Sequence, residues 1–158
     1  PMVQQLLTEW LTLAVLVVGP GLVAGLFWAP VLAVDRFASL FERLPPRDSV
    51  AGSYPLGTVG LSLPWIAAAG RALVRRASDE LTAANGLLDV IVVLSGVYLL
   101  VLPLVAGLGL PRVGIDWDET GYGPRTWILL GVGTLWYVLL LALPIFALSI
   151  GLALAGGP

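Results

Sequence analysis

Apolar residues fall into four long blocks along this chain, separated by three short polar stretches. The blocks run from Trp10 to Val34, from Leu56 to Val74, from Gly86 to Leu110 and from Trp127 to Ala155. A helix needs about 20 mostly apolar residues to cross a hydrocarbon core roughly 30 Å thick. The pattern therefore predicts an all-α, polytopic integral membrane protein, with residues 1–158 forming one transmembrane domain of four spans. Trp10 and Trp28 would be about 27 Å apart along a helix, which suits one tryptophan at each membrane interface. Trp127 opens the fourth block in the same way. The first block is too long, and lacks the basic lead, for a cleaved signal sequence.

The second block is the least regular. Gly57, Gly60, Ser62 and Pro64 interrupt it and Arg71 ends it, so a second reading has three spans and a re-entrant segment over 56–74. With four spans, Arg71, Arg75 and Arg76 lie on one side and Arg36, Arg43, Arg47, Arg112 and Arg125 on the other. With three, only Arg112 and Arg125 lie opposite the rest, which obeys the positive-inside rule better. Hydrophobicity favours the fourth span, and orientation stays open.

Between the first two blocks, residues 33–44 (AVDRFASLFERL) place apolar side chains at helical spacing, with Asp35, Arg36, Ser39, Glu42 and Arg43 on the opposite side. This predicts a short amphipathic interfacial helix, stopped by Pro45 and Pro46. Its apolar face is expected to lie in the headgroup plane, or else to dock a partner subunit. Ser78, Asp79 and Glu80 read as a helix start, the serine capping and the acids favouring the dipole. The loop over 111–124 is the most polar stretch. Its D-x-D-x-x-G from Asp116 to Gly121 is a fragment of a calcium loop, but Thr120 holds the fifth position and Trp127 the twelfth, where a bidentate glutamate belongs. The loop reads instead as solvated and turn-rich, closed by Gly121, Gly123 and Pro124.

Composition narrows the chemistry. Hydrophobic residues make up 58% of the chain and charged ones 11%, with a mean hydropathy of +0.96. Soluble domains carry about 25% charged residues, so a water-soluble globule is excluded. There is no histidine or cysteine, and all eight basic residues are arginines. That removes His- or Cys-held metal and haem, disulfides, a thiol nucleophile and a Schiff-base lysine. No phosphate-binding loop, dinucleotide fingerprint or hydrolase elbow is present. The expectation is no enzyme activity, no cofactor held by side chains, no metal and no nucleic-acid partner. A lipid or quinone held between apolar helices leaves no motif, and that contact stays open.

Asp89, just inside the third block, is an ionisable group in a span and so an ion-coupling candidate. Its shallow depth favours the plainer reading, in which it snorkels or pairs with Arg71, Arg75 or Arg76. Glu9, at the start of the first block, is a weaker ion-pair candidate. Every block contains proline, and Gly19-Pro20-Gly21 is the best place for a broken helix of the transporter kind. Two stripes of small residues at four-residue spacing are helix-packing candidates: Gly21, Gly25 and Ala29, and Ala147, Gly151 and Ala155. Tyr98 and Tyr137 lie deep in their spans, and each hydroxyl needs a partner inside the protein.

These features point first to a non-catalytic, accessory subunit of a larger membrane complex, respiratory or otherwise energy-transducing. Its partners would be lipid and other integral membrane subunits. The second reading is a small homo-oligomeric ion or solute transporter using Asp89. The third is a viral or envelope membrane scaffold. Arginine without lysine, together with an acidic balance, resembles a salt-adapted composition and points to the cytoplasmic membrane of a prokaryote.

Overall fold

The computed structural model describes residues 2–44, 49–75 and 80–155. The helices are α1 (Met2–Trp28), α2 (Asp35–Arg43), α3 (Val50–Arg75), α4 (Glu80–Leu104), α5 (Leu110–Arg112) and α6 (Pro124–Ala155). A 3₁₀ turn, Ala29–Ala33, leads from α1 towards α2, and a π turn, Val105–Gly109, joins α4 to α5. No strand occurs among the described residues. Four helical stretches are long and apolar enough to cross a membrane, so the chain is an all-helical, multi-pass membrane protein. Pro45, Pro46, Arg47, Arg76, Ser78 and Asp79 lie outside the described residues, the expected helix cap at Ser78 among them.

The second block folds as one uninterrupted helix. At 26 residues α3 is about 39 Å long, more than a hydrocarbon core requires. Its hydropathy is lowered in part by hydroxyl residues, and these point inward. Thr58 and Ser62 are 1% and 0% exposed, and each hydroxyl donates to a carbonyl of its own helix, Pro55 and Val59 respectively. Gly19-Pro20-Gly21 likewise stays inside a continuous α1, without the break the triplet suggests.

Around the bundle the long helices follow the order α1, α3, α4, α6, each antiparallel to its neighbours in sequence. Without a hydrophobic drive in lipid, such pairs associate through close backbone approach and interhelical hydrogen bonds. Both devices are present. A methyl group at Gly21 would strike Ser62 and reach 2.7 Å from the Val59 Cα; one at Gly25 would lie 2.7 Å from Thr58 Oγ1. The first small-residue stripe thus seats α1 on α3 within one chain. Four buried hydroxyls then stitch helix to helix: Tyr54 to the Gly25 carbonyl (2.6 Å), Tyr98 to Leu61 (2.6 Å), Tyr137 to Thr58 (2.5 Å) and Ser149 to Ala84 (2.9 Å).

At one end an aromatic core closes the bundle. Trp28 lies against Phe37, Phe41, Tyr54 and Tyr137, with ring centroids 5.0–6.2 Å away, and its indole N–H donates to the Gly133 carbonyl at 2.8 Å. At 5% exposed, Trp28 is a core residue rather than the interfacial anchor its spacing suggests; Trp10, 70% exposed, remains free for that role. The amphipathic helix forms as α2, and Phe37, Leu40 and Phe41 are buried. Its apolar face is taken up by the chain's own core, because Gly133 leaves room for the Phe37 ring against α6. That face is therefore unavailable to a partner subunit.

Candidate functional site

The polar residues at the closed end form a single fastening. In a π turn each carbonyl bonds the N–H five residues on, as Leu110 N–H does with Val105. For Ala106 that position is Pro111, which has no N–H. The Trp117 indole takes its place, donating to the Ala106 carbonyl at 2.7 Å. Trp117 is 2% exposed, and its own carbonyl accepts from Ser39 of α2 at 2.8 Å. Trp127, at the start of α6, packs its ring over Gly107 of the same turn.

Asp118, 3% exposed, is the hub of this fastening. Its Oδ1 accepts from the backbone N–H and the hydroxyl of Thr120 at 3.1 and 2.7 Å, and its Oδ2 from the Thr126 hydroxyl at 2.5 Å. Arg36 of α2 donates to Thr126 Oγ1 at 2.8 Å and stands 3.7 Å from Asp118. Burial alone would raise the Asp118 pKa. The bonds from Thr126 and Thr120 and the Arg36 charge outweigh it, and hold the carboxyl below its ordinary value. Asp116 accepts instead from the Tyr122 hydroxyl at 2.8 Å, and Glu119 pairs with Arg43 at 2.7 Å on the surface. The three acids of the calcium-loop fragment thus face different partners, and no group able to hold a metal occurs among the described residues. The loop is turn-rich and mostly exposed, as its composition suggests, but it folds around a buried centre at Trp117 and Asp118.

The remaining sequence candidates are scattered. Asp89 is exposed on α4 and does not stand without an interaction of its own. Glu9 is exposed on α1 and accepts a long hydrogen bond from Gln5 at 3.4 Å. Pro20 lines a cleft whose walls come from α1, α3 and α6, so Asp89 and the glycine-proline triplet are not brought together. The second small-residue stripe meets no mate among the described residues: Ala147, Gly151 and Ala155 are all exposed, and a methyl group at Gly151 would meet nothing within 4 Å. Every α1 residue from Gln4 to Val18 is exposed as well, Leu6, Leu7, Trp10, Leu11, Val15 and Leu16 included. Half of one spanning helix and one face of another are therefore exposed, and both are mostly apolar.

The model of a domain of unknown function, DUF8162, matches residues 8–156, from within α1 to beyond α6. The chain belongs to the DUF8162 family. No curated protein and no solved structure matches it. In this DUF8162 chain the match takes in the cap as well as the four long helices, so Trp117, Asp118 and Thr126 fall inside the family's span. Sequence reasoning passes over Thr126, Ser39 and Arg36 as site residues. Pro111, five residues after Ala106, is the available signal that a donor from elsewhere is needed.

Proposed function

We propose that this chain is a non-catalytic integral subunit of a larger membrane complex and acts by packing its helices against those of a partner. The observation that carries the reading is the exposed half of α1 over Gln4–Val18, where Leu6, Leu7, Leu11, Leu13, Val15 and Leu16 stand uncovered by the rest of the bundle beside the polar Gln4, Gln5, Thr8, Glu9 and Thr12. The open stripe of Ala147, Gly151 and Ala155 on α6 supports it, since small residues at this spacing admit a second helix at close range. The lack of histidine, cysteine and lysine agrees with a role in shape rather than chemistry. The proposed host is an energy-transducing assembly in the cytoplasmic membrane of a prokaryote, a setting in keeping with the arginine-only, acidic composition.

Gentle extraction from native membranes, followed by native mass spectrometry with partner identification, tests this. The expected particle holds the chain in fixed ratio with a larger, different membrane protein that carries the chemistry. A chain recovered only by itself, as a monomer or symmetric oligomer, contradicts the proposal and returns attention to transport and to Asp89.

A further inference from the structure

On the half of the bundle away from the cap, α1, α3 and α6 line a half-open apolar cleft of about 760 Å³. That volume suits one small apolar ligand held by a few polar groups. Its walls include Leu16 and Pro20 on α1, Trp65 and Gly70 on α3, and Leu140 and Pro144 on α6. Three polar atoms belong to residues of this lining, one from each helix. Proline lacks the N–H that would bond the carbonyl four residues earlier, so Pro20 frees the Leu16 carbonyl and Pro144 frees that of Leu140. An i to i+4 bond lies along the face shared by its two residues, and in both cases those two residues line the cleft. The third atom is the Trp65 indole nitrogen, the one buried side-chain donor among the described residues with no acceptor. Unpaired polar groups at membrane depth are costly, and persist where protein or a bound molecule satisfies them.

One donor and two acceptors around an apolar space define the chemistry of an occupant. A hydroxyl accepts from an N–H and donates to a carbonyl at the same time. We propose that this cleft binds a membrane-dissolved alcohol or hydroquinone, its apolar body lying between α1 and α6 and its hydroxyl set between Trp65 and the freed carbonyls. Trp65 is 1% exposed, so the incoming oxygen reaches its N–H by displacing a neighbouring side chain. The oxidised quinone has no O–H to donate. It keeps the Trp65 bond alone and binds about fivefold more weakly, the worth of roughly one hydrogen bond. This inference stands apart from the assembly reading, since the cleft belongs to a single chain.

The test uses the whole chain in lipid nanodiscs with four labelled probes: decylhydroquinone, its quinone, dioctanoylglycerol, and decylbenzene as a hydroxyl-free control. Retention is measured against empty discs. Hydroquinone, glyceride or both are expected to be held at least about fivefold better than decylbenzene, and the arm that succeeds identifies which lipid alcohol the cleft takes. Gly70→Phe places a ring in the cleft, because a side chain at Gly70 meets nothing within 4 Å, and is expected to abolish retention while the chain still folds. Trp65→Phe removes the donor and is expected to weaken binding about fivefold. Hydroquinone and glyceride both held no better than decylbenzene, a retained hydroquinone that the quinone matches, or a Gly70→Phe protein that binds like the parent would each overturn the proposal.

Discussion

Asp118 is a buried carboxylate at the water-facing end of a membrane bundle, and its stability contribution depends on staying ionised. Its folded pKa lies below the ordinary value, so the contribution is complete above about pH 4 and is lost as pH falls through the folded value. Asp118→Asn swaps one acceptor oxygen for an amide that faces hydroxyl and N–H donors. The expected cost is about 2 kcal/mol at neutral pH, within the range for hydrogen bonds to a charged group. The thermal midpoint in detergent should drop at pH 7, and the variant should lose the parent's further decline below pH 4. An unchanged midpoint would mean that the fastening is held without Asp118. The surface pair Arg43–Glu119 is a useful contrast, because an exposed ion pair contributes at most about 1 kcal/mol and its removal should leave the curve nearly unmoved.

At the scale of elements, glycines that look alike in sequence do opposite things. Gly21 and Gly151 each sit in a small-residue stripe. A methyl group added at the first would come within 2.7 Å of the α3 backbone, whereas one added at the second would face open space. Gly21→Leu should part α1 from α3, at a cost of about 1–3 kcal/mol or more by overpacking. Gly151→Leu should leave the stability of the isolated chain unchanged and weaken attachment to the proposed partner. Matched thermal melts of the two variants check the first half of this prediction, and co-purification of the Gly151 variant checks the second. The pair also shows what a sequence can carry. Four spans, α2 and the two stripes follow from periodicity and residue size, because lipid leaves a helix few other choices. Which stripe is spent within the chain does not follow, since it depends on where Thr58 and Ser62 come to rest on α3. The cap is illegible for a related reason: Trp117 and Asp118 look like loop residues until Pro111 leaves the Ala106 carbonyl without its π-turn donor.

For the whole molecule, the uneven distribution of packing matters most. The cap end is tied by aromatic contacts and by the hydrogen bonds around Asp118 and Trp117, while the far end leaves half of α1 and a face of α6 bare. Apolar side chains exposed on a spanning helix belong either in lipid or against other helices. The most direct measurement is photo-crosslinking in native membranes from a single position on the bare half, Leu11, which is 65% exposed. A photoreactive residue there should give one discrete adduct with a different integral membrane protein, and the same adduct should be lost when Gly151→Leu is added. Adducts with lipid or with a second copy of this chain alone would contradict the account of this protein as a subunit built to be packed against.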